Sequence, residues 1–297
     1  MAVKTVQATI DGITYTLTLN AQNGKYETTV TAPTKSSYKQ SGHYYDVTVT
    51  ATDNAGNVTT KNSNDSTLGS SLRLKVVEKV APVQAIISPT DGAKLINNKP
   101  TITWSITDAD SGVNPATVKI QIDSTTITDG ITKTATANGY TCTYTPTTAL
   151  VDGGHTITIF GSDYDGNAAI TKSASFTVDT VAPTLTITAP DNNLITNKIS
   201  LAVSGVTNDA TSSPVVVNIN GVNVSVGSNG SFNHTVTLIE GTNTITIVAT
   251  DGAGKSTTVT RIVTLNTTAP VISAVTITPN PVDAGATYVV SVTVTDS

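Results

Sequence analysis

Five aspartates stand in turn-forming sequence where alternate carboxylates can offer hard oxygens to calcium. They are Asp108 and Asp110 before Ser111-Gly112, Asp163 and Asp165 before Gly166-Asn167, and Asp179 near the next connector. Neither turn matches the helix-flanked calcium loop. The same side chains can instead accept local backbone N–H groups and hold turn dihedrals, a role that needs no ion. If calcium binds, the expectation is that Asp179 joins the Asp163-Asp165 turn.

Other chemistry is poorly supplied. His43, His155 and His234 are scattered, without the short spacing of a metal finger and without a neighbouring carboxylate-histidine-hydroxyl order. The single cysteine, Cys142, cannot form an internal disulfide, and it alternates in the same sense as Tyr140 and Tyr144, which reads as a small buried apolar group rather than a nucleophile. There is no phosphate loop, dinucleotide glycine pattern, zinc-protease helix or CxxC. The sequence therefore predicts no catalytic residue and no cofactor, with calcium as the one candidate ion. His43 beside Tyr44 and Tyr45 could cover an apolar sugar face, although packing at a strand edge uses the same residues. Tyr38, Tyr44 and Tyr45 together are the expected interface patch.

The elements that must position these groups are strands. Only 12% of residues are charged, while threonine makes up roughly a fifth of the chain against a charged share of about 25% in ordinary domains, so polarity comes from hydroxyls and amides. Segment after segment is rich in Thr, Val and Ile at period two, which fits sheets with one buried and one wet face, and no long helix is expected. In Ile102-Thr103-Trp104-Ser105-Ile106 the apolar residues share a face, which places the only tryptophan in a core. The net charge of −5 and the lack of a dense basic block exclude nucleic acid as a natural partner. No run approaches a membrane span, and the N-terminal residues lack the apolar stretch of a signal peptide.

An alternating run ending in an acidic, glycine-containing turn occurs three times, with Asp53, Asp163 and Asp251 in the same place. The copies recur at roughly the 100-residue length of a sandwich domain. Each copy is followed by a connector, Val80-Ala81-Pro82, Val181-Ala182-Pro183 or Thr268-Ala269-Pro270, where proline holds the preceding residue extended and withholds an N–H from any ladder. Domain boundaries are placed there: 1–80 with a loop insertion and the docking role, 81–181, 182–268, and 269–297 as the opening of a fourth domain. The pairs Asn23-Gly24, Asn138-Gly139 and Asn229-Gly230 are expected to make tight hairpins through left-handed dihedrals.

The connector prolines, Ala51-Thr52-Asp53-Asn54-Ala55-Gly56-Asn57 and its later copy Ala249-Thr250-Asp251-Gly252-Ala253-Gly254-Lys255 resemble tandem bacterial immunoglobulin-like domains. The chain also resembles the Ig-like virion proteins, tail or capsid appendages, of tailed phages of Firmicutes. The resemblance implies an all-β fold of tandem immunoglobulin-like β-sandwiches in an elongated string. It implies a non-enzymatic structural or adhesive part of a phage particle, a spacer or decoration with weak attachment to host glycans. The partners would be other virion structural proteins and further copies of the chain, with host surface glycan as a ligand and no nucleic acid or membrane insertion. The location would be the virion, assembled in the host cytoplasm. The alternative is a fragment of a bacterial cell-surface adhesin or cell-wall-binding protein, at an extracellular or cell-surface location.

Overall fold

The computed structural model of the chain describes residues 2–296. It divides into two compact units, Met1–Val178 and Asp179–Ser297. The described residues are strands and turns, with three short 3-10 turns and no α-helix.

Within the first unit, residues 83–178 form a two-sheet sandwich. One sheet orders Thr132–Thr136, Gly139–Tyr144, Ile102–Thr107 and Val83–Ser88. The other orders Thr125–Ile127, Val113–Ile122, Gly153–Asp163, Lys172–Val178 and Ala93–Leu95, the last pair being parallel. Period-two alternation turns Ile102, Trp104 and Ile106 inward, all fully buried, against Val118, Ile120, Ile157, Ile159, Phe176 and Val178 from the facing sheet. Cys142 lies opposite Trp104 in the ladder and is equally buried. Desolvation pushes its thiol up to about 11, which keeps it protonated and inert.

The second unit repeats the plan. A three-stranded sheet of Thr184–Ala189, Ser200–Asn208 and Ser231–Thr237 faces a five-stranded one ordered Leu194–Thr196, Ser256–Leu265, Gly241–Thr250, Val216–Ile219 and Val222–Val224. Val203, Val217, Ile219, Phe232, Ile245, Ile247 and Val263 fill its core. Leu95-Ile96-Asn97-Asn98-Lys99 is similar in sequence to Leu194-Ile195-Thr196-Asn197-Lys198, and each leucine lies in a short strand parallel to the last strand of its sandwich.

On the wet faces, threonine and serine hydroxyls meet across strands: Thr9 with Thr14 at 2.9 Å, Thr101 with Thr145 at 2.9 Å, and Thr158 with Ser173 at 2.8 Å. Such pairs stabilise a sheet without charge, which is how a chain so poor in charged residues keeps polar outer surfaces.

One region departs from the sequence expectation. Residues 1–80 do not build a sandwich: Lys25–Glu27, Ile13–Asn20, Val3–Ile10, Tyr45–Asp53 and Val58–Lys61 lie side by side in one sheet, with Arg73–Leu74 added on Tyr45–Asp53. Val6 and Tyr45 are the buried large apolar side chains described there. The stretch 28–44, which would have to supply a facing sheet, has a proline, lysines and serines in place of apolar alternation and runs through two 3-10 turns. The extra stretch Lys61–Ser71 folds back on this sheet, Ser63 N–H donating to Asp46 Oδ1 at 2.7 Å. At the other end, Val271–Thr278 and Val289–Thr295 form a two-stranded hairpin whose side chains are exposed on both faces.

The Asn-Gly pairs also divide. Gly24 and Gly230 take the left-handed φ values of +71° and +79° that favour glycine. Gly139 does not. It begins a strand so close to its neighbour that a Cβ would stand 2.1 Å from the Ile106 carbonyl oxygen, so glycine is required there by close approach rather than by dihedral.

Candidate functional site

The three acidic turns are built alike. In the first, Asp53 Oδ1 accepts from the N–H groups of Ala55 and Asn57 at 2.8 and 2.9 Å, and Oδ2 from Asn57 Nδ2 at 2.8 Å. The Asn57 bonds hold the Asp53 carboxyl below its usual range. In the second, Asp163 Oδ1 accepts from Asn167 N–H at 2.8 Å and Oδ2 from Asn167 Nδ2 at 2.7 Å. In the third, Asp251 Oδ1 accepts from Ala253 and Lys255 at 2.8 and 2.9 Å. The asparagine of the earlier copies is replaced by Lys255, and the buried Asp251 Oδ2 has no hydrogen-bond partner.

Around the second and third turns the fold gathers carboxylates. Glu78, Asp108 and Asp163 place ligand atoms within 4.8 Å of one another, and so do Asp179, Asp209 and Asp251. Each group takes one acid from the connector, one from the loop after the tryptophan-type strand (Ile102–Thr107 or Ser200–Asn208), and one from the repeated acidic turn. Unit charges at that spacing repel by roughly 3.5 kcal/mol per pair at an effective dielectric of about 20, a penalty that needs a positive charge or donated hydrogen bonds to offset it. In the first group Glu78 Oε1 accepts Ser111 N–H at 2.6 Å, and Asp108 Oδ1 accepts the N–H groups of Asp110 and Gly112 at 3.0 and 2.8 Å.

The five aspartates expected at calcium sites are thus separated by the structure. Asp108 and Asp163 meet in the first group, with Glu78. Within the second unit Asp179 belongs with Asp209 and Asp251, because the connector acid folds against the domain its own Ala-Pro step begins. Asp110 and Asp165 serve another purpose. Asp110 Oδ1 accepts Ser36 N–H at 3.1 Å and Asp165 Oδ2 accepts Glu78 N–H at 2.9 Å, so both tie residues 1–80 to the sandwich that follows. Glu78, Asp209 and Asp251 are members that sequence reasoning left out. A signal existed: Glu78 and Asp179 each stand two residues ahead of the Val-Ala-Pro step, and Asp108 and Asp209 follow them at the same interval.

The tyrosines separate too. Tyr45 is buried, its hydroxyl donating to the Lys35 carbonyl at 3.2 Å, so it packs the first sheet and presents no surface. Tyr44 is half-buried under the Arg73 guanidinium, 4.8 Å above its ring. Tyr38 stacks on His43 at 4.2 Å and on Tyr164 of the following sandwich at 4.0 Å, with rings 10° from parallel in the second pair. Lys39 Nζ donates to the Ala109 carbonyl at 2.8 Å and Asn167 Nδ2 to the Glu78 carbonyl at 3.2 Å. Within the first unit the joint is therefore a set of directional contacts.

His155 is not isolated as its sequence neighbours suggest. Nδ1 lies 2.9 Å from Asp123 Oδ2 and Nε2 lies 2.8 Å from the Val151 carbonyl. Desolvation opposes the charged ring, but the Val151 carbonyl and the Asp123 carboxylate outweigh it and the pKa is raised above 6.5. For Asp123, partial burial works against ionisation, while His155 and Thr156 N–H prevail and lower its pKa. The His155 contribution is fully present below its unfolded value of 6.5 and is lost as pH rises through the raised folded value. The Asp123 contribution is present above its unfolded value of 3.8 and is lost as pH falls through the lowered one. Because the Asp123 side chain is 48% exposed, the pair is screened and contributes about 1 kcal/mol or less. Asp123→Asn is expected to move the His155 titration to lower pH, followed by imidazole proton NMR; an unmoved titration would show that the carboxylate does not sustain the shift.

Two stretches of the chain match known families. Residues 82–159 match the family described as "Bacterial Ig domain" and residues 183–267 the one described as "Glucodextranase, domain B". The chain is built on tandem immunoglobulin-like β-sandwich domains. This Ig-like array is a structural, non-catalytic architecture. It is 32% identical over 198 residues to Bacillopeptidase F of Bacillus subtilis (strain 168), a match covering 67% of this chain and 13% of that protein's length. Among solved structures, the fibronectin(III)-like modules of CbhA from Clostridium thermocellum align at a TM-score of 0.39 and 22% identity, over 62% of this chain and 94% of theirs. A tetra-tandem repeat from the extending region of a large adhesion protein aligns at a TM-score of 0.33 and 19% identity, over 98% of this chain and 79% of that one. No described helix is long and apolar enough to cross a membrane.

Proposed function

We propose that the chain is a spacer and attachment array of a bacterial cell surface, transmitting position and load rather than performing a reaction. The observation that carries this reading is the joint inside the first unit. There the Tyr38–Tyr164 stack and the hydrogen bonds of Ser36, Lys39, Glu78 and Asn167 lock a single-sheet domain onto a sandwich. A short connector secured on several sides resists bending, which a spacer needs and a freely tumbling linker lacks. The hydroxyl-rich faces fit the same role, since they stay wet without a charge pattern that would select a charged ligand. The match to a bacterial Ig domain favours a cell-surface location over a phage appendage.

Immunogold labelling of intact, unpermeabilised source cells and of purified phage particles tests the location. Label on the cell surface is expected; label confined to particles would overturn this reading in favour of a virion decoration. The joint has its own test. Tyr38→Ala combined with Lys39→Ala removes the ring stack and the bond to Ala109. It is expected to increase the radius of gyration in small-angle scattering and to speed proteolysis at Lys75 and Lys79 several-fold, while the sandwich melts as before. An unchanged scattering profile and cleavage rate would mean that these contacts do not hold the joint.

A further inference from the structure

We propose that Asp179, Asp209 and Asp251 form a calcium site, with the Ser212 hydroxyl as a fourth oxygen. Four observations lead there. The carboxylate oxygens lie within 4.8 Å of one another, and two oxygens bound to one calcium at about 2.4 Å each can be no farther apart than that. All three acids are buried.

Open coordination capacity is the second observation. Asp251 Oδ2 and Ser212 Oγ are buried and lack hydrogen-bond partners, a condition native proteins rarely leave without a reason. Ser212 is fully buried and sits between two of the acids. Its N–H donates to Asp209 Oδ1 at 2.6 Å and its carbonyl accepts from Gly252, the neighbour of Asp251, at 2.7 Å. Among the described residues neither Asp209 nor Asp251 pairs with a cationic side chain.

Third, the repeat supplies an internal comparison. In the two earlier acidic turns an asparagine amide donates to the second oxygen of Asp53 or Asp163. In the third the residue is Lys255, whose ammonium turns away to the Thr180 carbonyl, so the second oxygen of Asp251 is left open. In the Glu78–Asp108–Asp163 group Asn167 caps Asp163 Oδ2, so that oxygen is not open, and no ion is assigned there, although Ser111 Oγ also lacks a partner.

Fourth, the first oxygens are already oriented. Asp179 Oδ1 accepts Val181 N–H at 3.1 Å, Asp209 Oδ1 accepts Thr211 N–H at 2.9 Å as well as Ser212, and Asp251 Oδ1 is fixed by its turn. Such outer bonds aim ligands before the ion arrives. An all-oxygen, anionic set suits a hard cation and not zinc or copper. Ligands drawn from three irregular loops suit the adaptable shell of calcium better than the strict octahedron of magnesium. The site goes beyond the spacer reading and stands or falls separately from it.

Isothermal titration calorimetry and calorimetric melting of the full chain, stripped with EGTA and titrated with CaCl2 or MgCl2, test the assignment. Saturable calcium binding, weaker with magnesium, is expected to raise the melting temperature of the second unit. Asp251→Asn and Asp209→Asn keep the side-chain shape and are expected to weaken calcium binding by at least about tenfold, with folding checked by circular dichroism. Asp163→Asn is expected to leave it unchanged. No heat and no melting shift in the unaltered chain at millimolar calcium would overturn the proposal. So would unaltered binding in the two variants, or loss of binding in Asp163→Asn alone, which would place the ion in the other carboxylate group.

Discussion

Trp104→Ala is expected to lower the stability of the 83–178 sandwich by about 3–5 kcal/mol while leaving the second unit unaffected. The indole is the largest fully buried side chain of the chain and stands in the inner layer with Ile102 and Ile106, facing side chains of the opposite sheet. Truncation removes its transfer energy and leaves a cavity that close-packed β-branched neighbours cannot collapse to fill. Its buried Nε1 has no hydrogen-bond partner, so removing it releases one uncompensated polar group, which places the effect toward the lower end of that range. Differential scanning calorimetry should show the transition of the first unit falling by on the order of 15 °C or more, since about 1 kcal/mol moves a domain of this size by roughly 4–8 °C. The two apolar cores share no residue, so the transition of the second unit should stay in place. Two transitions that fall together would show one cooperative core and would remove the tandem architecture.

Gly230→Ala is expected to destabilise the second unit by about 2–4 kcal/mol. The added Cβ suffers twice. It must be held at a φ of +79°, where an L side chain crowds its own backbone, and it would stand 2.0 Å from the Thr207 carbonyl oxygen. That oxygen belongs to the strand Ser200–Asn208, which is paired on both sides, so it cannot withdraw without breaking ladder bonds. The measurement is chemical denaturation followed by circular dichroism, the transition of the second unit moving to lower denaturant. Gly254→Ala makes the control: φ is +96° but a Cβ there meets nothing within 4 Å, so only the dihedral penalty should appear. Equal losses in the two variants would mean that the contact with Thr207 relaxes freely.

Much of this structure could be read along the chain. Alternation named the inward residues of Ile102–Thr107 correctly, because in a strand each side chain's face follows from its parity and a run of Thr, Val and Ile has no other stable use. The same rule misled at residues 1–80, where alternating strands formed one sheet without a cover. Parity says which side chains share a face, but not whether a second sheet arrives to bury them. The glycine at 139 shows a related limit: Asn-Gly suggests a left-handed turn, whereas the approach of the neighbouring strand, visible only after pairing, was the actual constraint.

The candidate site was legible in pieces. Local acidity marks Asp108, Asp163 and Asp179 as oxygen donors, and the repeat marks Asp251 as the third copy of a turn residue. Their partnership was invisible, since Asp179, Asp209 and Asp251 come from a connector and two loops that meet only when two sheets close face to face. The substitution of Lys255 for asparagine was in plain view, yet its consequence depended on where the ammonium group turned.

By itself the amino-acid order determined strands, breaks and repeated turns, because hydrophobic parity, proline and short polar side chains act over a few residues. Tertiary structure alone decided which sheets gained a partner and which acids came within ligand distance. Those outcomes depend on loops of differing length converging at one end of a sandwich, and no local preference encodes that convergence.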